Sequence, residues 1–319
     1  MNSDVLILGG TGSIGYAFTE NLLSKHIPVT LLVRNRGKAE KLFPNATGLE
    51  LVEGDVQDGP LLKRLAADKS LIFHGINYPY PQWFGPMNTA TDNVIAAASV
   101  SKATILFPGN VYNFGLTHEP IQENSLPQPN TRKGGLRVEL EKKLAYAARR
   151  GQCQVLTLRL PDFWGPNVLN AGIAPIFEGA LKGKAMPWLV NADIPHQLVF
   201  TKDAADVIVR LWQRGGWNDY EVIHYGGETV PGMRQWFGEI ARLAGTKSTV
   251  RVHGKLLFGV LGLFVPLMRE VKEMLYLYEN TILLDDSKLR KLLPDFKETP
   301  MDQALTETLQ WFENHQLNS

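Results

Sequence analysis

The sequence predicts an α/β fold in which helices cover both faces of a doubly wound parallel sheet. Through the first half of the chain, short apolar runs alternate with segments that have helical spacing. Continuously apolar strands are typical of a parallel sheet, because helices cover both of its faces. The runs that we expect to be strands are Val5–Leu8, Val29–Val33, Leu49–Val52, Leu71–Phe73, Thr104–Phe107 and Val155–Leu160.

The first apolar run ends at a glycine turn, and a stretch with helical spacing follows it. Glycines at this spacing serve a tight turn, the approach of the backbone to a pyrophosphate, and close contact between helix and strand. The helix N-terminus beyond the turn then faces the phosphates. The pattern therefore predicts a dinucleotide site formed by Gly9, Thr11, Gly12, Ser13, Ile14 and Gly15.

Charges after the second run indicate which dinucleotide binds. An acidic side chain there is typical of NAD sites, because it binds the ribose hydroxyls. This sequence instead has Arg34 and Arg36, whose guanidinium groups suit the 2′-phosphate of NADP, so we expect NADP with NAD as the alternative. After the third run, Asp55 and Val56 are expected to bracket the adenine ring, although Asp55 equally suits a turn or a helix cap.

Composition limits the partners. Among 319 residues, 33 Lys and Arg nearly balance 32 Asp and Glu, so no basic surface indicates nucleic acid. A single cysteine excludes an internal disulfide, and no secretion signal precedes the first strand, so we expect a cytoplasmic protein. The 7 histidines are scattered at spacings that do not suit a metal site. The expected partner is a small molecule, and the chain is also a candidate homodimer.

The chain is expected to form two units. Residues 1–160 carry the alternating pattern and are interpreted as the dinucleotide-binding domain. Residues 161–319 are interpreted as a smaller, mostly helical substrate lobe, from which residues 199–226 return to the sheet. The most apolar stretch, Leu256–Met268, is too short to span a bilayer. We expect it to be a buried helix or a lid over an apolar pocket, with no membrane partner.

With these motifs in order, the chain resembles the extended short-chain dehydrogenase/reductase family, of the NAD-dependent epimerase/dehydratase type. The resemblance extends over nearly the whole chain and implies a Rossmann fold and hydride transfer at a carbonyl or carbinol carbon. The matching motifs are Gly9-x-x-Gly12-x-x-Gly15, Gly54-Asp55, Phe73–Asn77, Asn93, Val111-Tyr112 with Gly115, Arg159–Pro166 and His196–Asp203.

Members of that family catalyse with a Ser or Thr and a Tyr-x-x-x-Lys pair, and this sequence lacks the pair. Tyrosine has a pKa near 10, so it exchanges a proton at neutral pH only where a nearby cation stabilises the phenolate. None of the 9 tyrosines has a lysine four positions later. By the resemblance, Lys133 and Arg137 occupy the Tyr and Lys places, and Asn110 occupies the Ser/Thr place. Asn110 and Tyr112 would then hold the substrate, and Arg137 would order the nicotinamide ribose.

Three functions remain open. The first is an NADP-dependent reductase or epimerase in which another group carries the proton, with Lys133, Tyr112, Tyr78 and Tyr80 as candidates. The second is a non-catalytic NADP-binding protein that reports redox state to a partner, and the third is an isomerase-like role. We take the first as the prediction: an enzyme of the atypical kind that acts on a small carbonyl, hydroxyl or nucleotide-sugar-type substrate.

Further side chains are expected near the substrate. Tyr78, Tyr80 and Trp83 follow the fourth run together with two prolines, and they would form a stiff aromatic wall or seal the interface between the lobes. His196 is a further candidate proton carrier, with a structural role as the alternative. Asp203 is expected to cap the helix that begins near Lys202.

Overall fold

The structure is a computed structural model that describes residues 4–317, so the first three and last two residues of the predicted units lie outside it. The strands are β1 (Val5–Leu8), β2 (Val29–Val33), β3 (Leu49–Glu53), β4 (Leu71–His74), β5 (Thr104–Asn110), β6 (Gln154–Leu160), β7 (Asp162–Trp164), β8 (Met186–Leu189), β9 (His196–Phe200), β10 (Tyr220–His224), β11 (Glu228–Val230) and β12 (Val250–His253). The helices are α1 (Ser13–Ser24), α2 (Arg36–Leu42), α3 (Gly59–Ala66), α4 (Pro86–Ser101), α5 (Arg132–Arg149), α6 (Ala174–Leu181), α7 (Thr201–Arg214), α8 (Met233–Leu243), α9 (Lys255–Leu261), α10 (Pro266–Met274), α11 (Ser287–Leu292) and α12 (Met301–Leu317).

Seven strands of the described chain form one parallel sheet in the order β10-β6-β5-β4-β1-β2-β3. Val5 of β1 pairs with Val29 of β2 on one side and with Leu71 of β4 on the other. The strand order reverses between β1 and β4, and in such sheets ligands bind in the crevice at the carboxyl ends of these strands. The predicted doubly wound α/β fold is confirmed.

The sheet strands form where the sequence is continuously apolar, and each is close to its expected position. Every residue of β1, β2 and β4 is buried, as expected for strands covered on both faces. β5 is three residues longer than expected, because it continues through Pro108 and Gly109 to Asn110. A Cβ atom at Gly109 would lie 3.0 Å from Thr157 Cγ2, so glycine allows close contact with β6 at that point.

Separate apolar cores lie on the two faces of the sheet. Phe18 of α1 and Leu211 of α7 belong to one core, and Val94 of α4 and Leu140 of α5 belong to the other. A third core forms in the C-terminal half of the chain, where α6, α8 and α12 pack around aromatic side chains. The same part of the chain contains two small sheets, with orders β11-β9-β7 and β12-β8.

After α7, the chain returns to the large sheet, and β10 pairs in parallel with β6 at its edge. The division into two units near residue 160 stays a prediction. The expected cap role of Asp203 is wrong, because α7 begins at Thr201 and Phe200 occupies the cap position. Asp203 instead accepts hydrogen bonds from the backbone N and the hydroxyl of Thr299, at 3.0 and 2.6 Å. It therefore joins α7 to the segment before α12.

The apolar stretch Leu256–Met268 forms α9, a turn and the start of α10. The expectation of a buried helix is wrong for most of it: Leu256 is 88% exposed and Phe264 is 79% exposed, whereas Phe258 is buried. Within residues 4–317, no helix has both the length and the apolar character needed to cross a membrane.

Candidate functional site

β1 carries the glycine turn to the carboxyl end of the sheet. Gly9 has a φ of 85°, a left-handed conformation that favours glycine. Gly12 N donates to Gly9 O at 3.0 Å, and Tyr16 N donates to Gly12 O at 2.6 Å as the first bond of α1. The N–H groups of Ser13, Ile14 and Gly15 come before that first helical bond. No side chain of the described residues caps this end of the helix. Such N–H groups bind anions, because they lack partners and lie at the positive end of the helix dipole.

The backbone around this turn is packed more closely than side chains allow. A Cβ atom at Gly9 would lie 2.4 Å from Gly75 O in the loop after β4, and one at Gly15 would lie 2.3 Å from Gly9 O. Thr11 and Ser13 are half-buried, and Ile14 is buried. A glycine-lined turn next to an uncapped helix end fits the pyrophosphate of a dinucleotide.

A residue that the sequence analysis did not single out supports the turn. Asn167, after β7, donates its Nδ2 to Thr11 O at 3.3 Å. It is 3% exposed and has a φ of 59°, and its Oδ1 has no hydrogen-bond partner among the described residues. A buried carbonyl oxygen of this kind normally has a partner, so Asn167 offers an acceptor to a ligand hydroxyl beside the turn. The tolerance of asparagine for left-handed backbone is the only sequence signal at this position.

The two arginines after β2 have different surroundings. Arg36 donates to Glu40 Oε1 at 2.9 Å and to Leu51 O at 3.1 Å, so its guanidinium is already engaged. Arg34 is exposed, and its guanidinium carbon lies 6.0 Å from the centre of the Tyr78 ring. Arg34 is therefore the better placed of the two to bind a phosphate.

Asp55 and Val56 lie in the loop after β3. Asp55 Oδ1 accepts from Gln57 N at 2.9 Å, so Asp55 makes a turn of the kind that the sequence analysis left open. Val56 is buried, and its carbonyl accepts from Asn93 Nδ2 at 3.0 Å. Gln57 Nε2 donates to Tyr78 OH at 2.7 Å, so the loops after β3 and β4 form one continuous surface.

Two tyrosine hydroxyls meet beyond the end of β5. Asn110 accepts from Tyr112 N at 3.1 Å and so begins the short 3-10 helix Val111–Asn113. Tyr112 OH lies 2.9 Å from Tyr80 OH. Burial, with a smaller contribution from Tyr80, raises the pKa of Tyr112 well above its usual value. Tyr112 is therefore protonated at neutral pH and acts as a hydrogen-bond donor rather than as a phenolate base.

Lys133, in the first turn of α5, is completely buried. Its Nζ pairs with the carboxylates of Glu270 and Glu273 on α10, the latter at 2.7 Å, and lies 5.0 Å from the centre of the Tyr80 ring. No signal in the sequence near Lys133 indicates these carboxylates, which are 137 and 140 residues away. Lys133 therefore ties α10 to α5 beside the tyrosine pair.

Arg137 lies one turn further along α5 and is 6% exposed. Its NH2 donates to Pro108 O at 2.6 Å, and its Nε has no hydrogen-bond partner within residues 4–317. Burial lowers the pKa of Arg137 to about 10, so it remains charged at neutral pH. Burial, aided by the charge of Arg137, lowers the pKa of His74 to about 3, so that imidazole is neutral.

A carboxylate and an imidazole form a pair on the lobe side of the tyrosines. His196 Nε2 lies 3.0 Å from Asp162 Oδ2. The His196 ring stacks on Tyr278 with 6.2 Å between ring centres. Burial first, and then the charge of Asp162, raise the pKa of Tyr278 well above its usual value. Asp162 also contributes to the raised pKa of Tyr112, so its carboxylate acts on the tyrosine site electrostatically.

A buried polar network supports the end of β5. Arg159 pairs with both carboxylate oxygens of Glu141 at 2.9 Å, and it donates to Asn110 O at 3.2 Å. Its Nε donates to His224 Nε2 at 3.2 Å, and His224 Nδ1 donates to Ile121 O at 3.1 Å. Burial and the charge of Arg159 lower the pKa of His224 to about 3, which keeps the imidazole neutral. The network fixes the backbone from which Tyr112 projects.

Comparisons with known proteins agree with this geometry. Residues 9–106 match the family model described as NAD(P)H-binding. The enzyme WbmH of Bordetella bronchiseptica, solved in complex with NAD+, is 18% identical with a TM-score of 0.76, and the match covers 98% of both chains. The UDP-glucuronic acid 4-epimerase of Bacillus cereus in complex with NAD is 15% identical with a TM-score of 0.78, over 98% of this chain and 99% of that one.

A third similar structure is a double mutant of the dTDP-glucose 4,6-dehydratase DesIV of Streptomyces venezuelae with NAD bound. It is 18% identical with a TM-score of 0.79, over 99% of this chain and 98% of that one. No curated protein matches the sequence. Residues 9–106 therefore match an NAD(P)H-binding family, and the chain has the fold of these epimerases and dehydratases, which agrees with the resemblance seen in the motifs.

Proposed function

We propose that this protein is an NAD(P)-dependent oxidoreductase or epimerase-like enzyme acting on a small carbonyl, hydroxyl or nucleotide-sugar-type substrate. The observation that carries the proposal is the position of the Tyr112–Tyr80 hydroxyl pair. It lies beyond β5, at the same end of the sheet as the glycine turn and its uncapped helix. When bound there, the dinucleotide supplies hydride donation or acceptance at its nicotinamide ring.

NADP is the dinucleotide that we propose, because Arg34 is exposed at the end of β2, the place where a 2′-phosphate is recognised in this fold. Arg36 contributes less, since its guanidinium is engaged by Glu40 and Leu51. NAD is the alternative, and the similar structures were solved with NAD. Gly9 to Gly15 would hold the pyrophosphate, and Arg137, whose Nε lacks a partner among the described residues, would face the ribose.

The proton would come from Tyr112. A neutral phenol donates a hydrogen bond to the substrate oxygen and would transfer its proton to that oxygen during reduction. Tyr80 shares a hydrogen bond with Tyr112 and would pass a replacement proton to it. The Asp162–His196 pair would relay that proton, because each imidazole nitrogen is able to donate or accept one. Asn110 would act as a positioning residue, through its hydrogen bond to Tyr112 N.

In this proposal Lys133 has a structural role and is not the proton carrier that the sequence suggests. Its Nζ is paired with Glu270 and Glu273, so its part is to hold α10 against the tyrosine pair. A cytoplasmic location and a homodimer stay predictions.

The second candidate is a non-catalytic NADP-binding redox sensor. It is favoured by the burial of the tyrosine site: Tyr278 and the 3-10 helix Leu275–Tyr278 pack over it, and the Tyr-x-x-x-Lys pair of the family is missing. A sensor and an enzyme would share the dinucleotide site and differ in turnover.

The decisive experiment follows NADPH absorbance with a panel of aldehydes, ketones and nucleotide sugars, together with product analysis for epimerisation. We expect turnover of one substrate class, and Tyr112→Phe should lower kcat by about 100-fold or more because the proton donor is lost. Tyr146→Phe is the control, since Tyr146 is 61% exposed on the far part of α5. Unchanged kcat in Tyr112→Phe would refute the proton assignment. Tight NADPH binding with complete inertness would favour the sensor.

A further inference from the structure

An exposed apolar hairpin, formed by α9, α10 and the turn between them, differs from the rest of the surface. Eight exposed large apolar side chains lie in one part of it, the twelve residues 256–267. The other exposed large apolar residues in the described chain occur singly, from Phe84 to Leu169. Single exposed apolar residues are normal on a protein surface, whereas a contiguous patch marks an interaction site. The eight residues are Leu256, Leu257, Val260, Leu261, Leu263, Phe264, Val265 and Leu267.

The backbone N–H groups at the tip of this hairpin are paired within the hairpin. Gly262 N donates to Phe258 O at 3.0 Å, and Val265 N donates to Leu261 O at 2.8 Å. The carbonyl of Gly262 accepts from Arg269 Nε at 3.2 Å. A segment that leaves water must pair its N–H and C=O groups internally, because an apolar medium offers no partners. The N–H groups of the tip, from Gly262 to Val265, meet this requirement inside the hairpin.

The stretch of sequence that carries the apolar tip has charges of one sign. From Arg251 to Arg269 the sequence contains Lys255 and no acidic residue. Arg251, Arg269 and Lys272 are exposed, while Lys255 pairs with Glu279. The carboxylates of α10, Glu270 and Glu273, both pair with the buried Lys133. A surface with apolar side chains at its centre and cations at its edge complements a bilayer that contains anionic lipids.

We infer that the α9–α10 hairpin binds the surface of an anionic lipid bilayer, with Leu263 and Phe264 at its tip entering the boundary between headgroups and acyl chains. This differs from the absence of a membrane partner that the sequence analysis expected. That expectation rested on the length of the apolar stretch, and a segment too short to span a bilayer is still able to lie in its surface.

The test is co-sedimentation of the full-length protein with vesicles of phosphatidylcholine alone and of phosphatidylcholine with phosphatidylglycerol. The wild type is expected to bind the anionic vesicles at least about tenfold more tightly than the neutral ones. The double variant Leu263→Glu/Phe264→Glu is expected to lose at least about tenfold in affinity for the anionic vesicles, because it removes apolar contact and adds like charge to the lipid.

Leu126→Glu is the matched control, because Leu126 is 78% exposed in a loop far along the chain from the hairpin, close to the 79% of Phe264. It should bind vesicles as the wild type does, and circular dichroism and NADPH titration should show that all variants fold and bind dinucleotide alike. The inference is overturned if the wild type does not sediment with either vesicle, or if the double variant binds as tightly as Leu126→Glu. It is also overturned if sedimentation equilibrium shows that the double variant only splits a dimer, which would make the hairpin an interface between copies.

Discussion

Gly15→Ala tests whether the close packing of the glycine turn is what allows dinucleotide binding. The added Cβ would lie 2.3 Å from Gly9 O and 2.9 Å from Gly10 Cα, whereas ordinary van der Waals contact begins at 3.4 Å. The backbone of Gly9 and Gly10 must therefore move by about 1 Å away from α1. That movement displaces the part of the turn that would face the pyrophosphate.

Two opposing effects on stability can be compared. Overpacking costs about 1–3 kcal/mol, and alanine in a helix is favoured over glycine by about 1 kcal/mol. We therefore expect a net loss of up to about 2 kcal/mol in the free energy of unfolding. Dinucleotide affinity should fall by roughly 10- to 100-fold, which corresponds to about 1.4–2.8 kcal/mol.

Fluorescence titration with NADPH measures the affinity, and urea unfolding followed by circular dichroism measures the stability. Gly135→Ala is the matched control, because Gly135 lies in the first turns of α5 with no atom within 4 Å of the added Cβ. It should retain full affinity and gain up to about 1 kcal/mol of stability. If Gly15→Ala binds NADPH as tightly as Gly135→Ala, the turn is not the phosphate site.

Three further predictions concern charge. Arg34→Ser should weaken NADPH binding by about tenfold and leave NADH binding unchanged, whereas Arg36→Ser should have a smaller effect on NADPH binding. If titration shows that Arg34→Ser weakens binding of both dinucleotides equally, Arg34 does not recognise the 2′-phosphate. His224 is neutral when folded but takes up a proton below pH 6.5 when unfolded, so it should lower stability by about 2 kcal/mol between pH 7 and pH 5. Buried His74 adds a similar loss, so urea unfolding should show about half the wild-type loss in His224→Gln, and an equal loss in both would contradict this. Glu141→Ala should cost about 3–5 kcal/mol, because it leaves Arg159 buried without a counter-charge; a change below about 1 kcal/mol in urea unfolding would contradict this.

The central sheet and the glycine turn could be predicted from sequence because their signals are local. A run such as Val29–Val33 is apolar throughout, and in a parallel sheet both faces of a strand are buried. The glycine turn is similarly determined by three positions within seven residues. β5 was predicted too short because Pro108 is unfavourable in a strand by local rules, and pairing with β6 outweighs that preference.

The side-chain partners of the site could not be predicted, because they come from distant parts of the chain. Lys133 was recognised as a candidate, but Glu270 and Glu273 meet it only after α10 packs against α5. Asp203 has the local pattern of a helix cap and instead binds Thr299, 96 residues away. The pairing of Asp162 with His196 likewise depends on β7 lying beside β9.

The apolar hairpin shows a different limit. Composition identifies Leu256–Met268 as apolar, but the same composition suits a buried helix, a lid or a surface that binds another apolar phase. Only the packing of α9 and α10 shows which side chains stay exposed. Phe258 is buried against the rest of the protein, and Leu263 at 71% exposure is not.

The most direct measurement is isothermal titration calorimetry of the full-length wild-type protein with NADPH and then with NADH. Because one glycine turn and one uncapped helix end form the proposed site in each chain, we predict binding of one dinucleotide per chain, with NADPH bound more tightly than NADH. Absence of binding heat for both dinucleotides across several temperatures, with a protein that is folded by circular dichroism, would contradict the account.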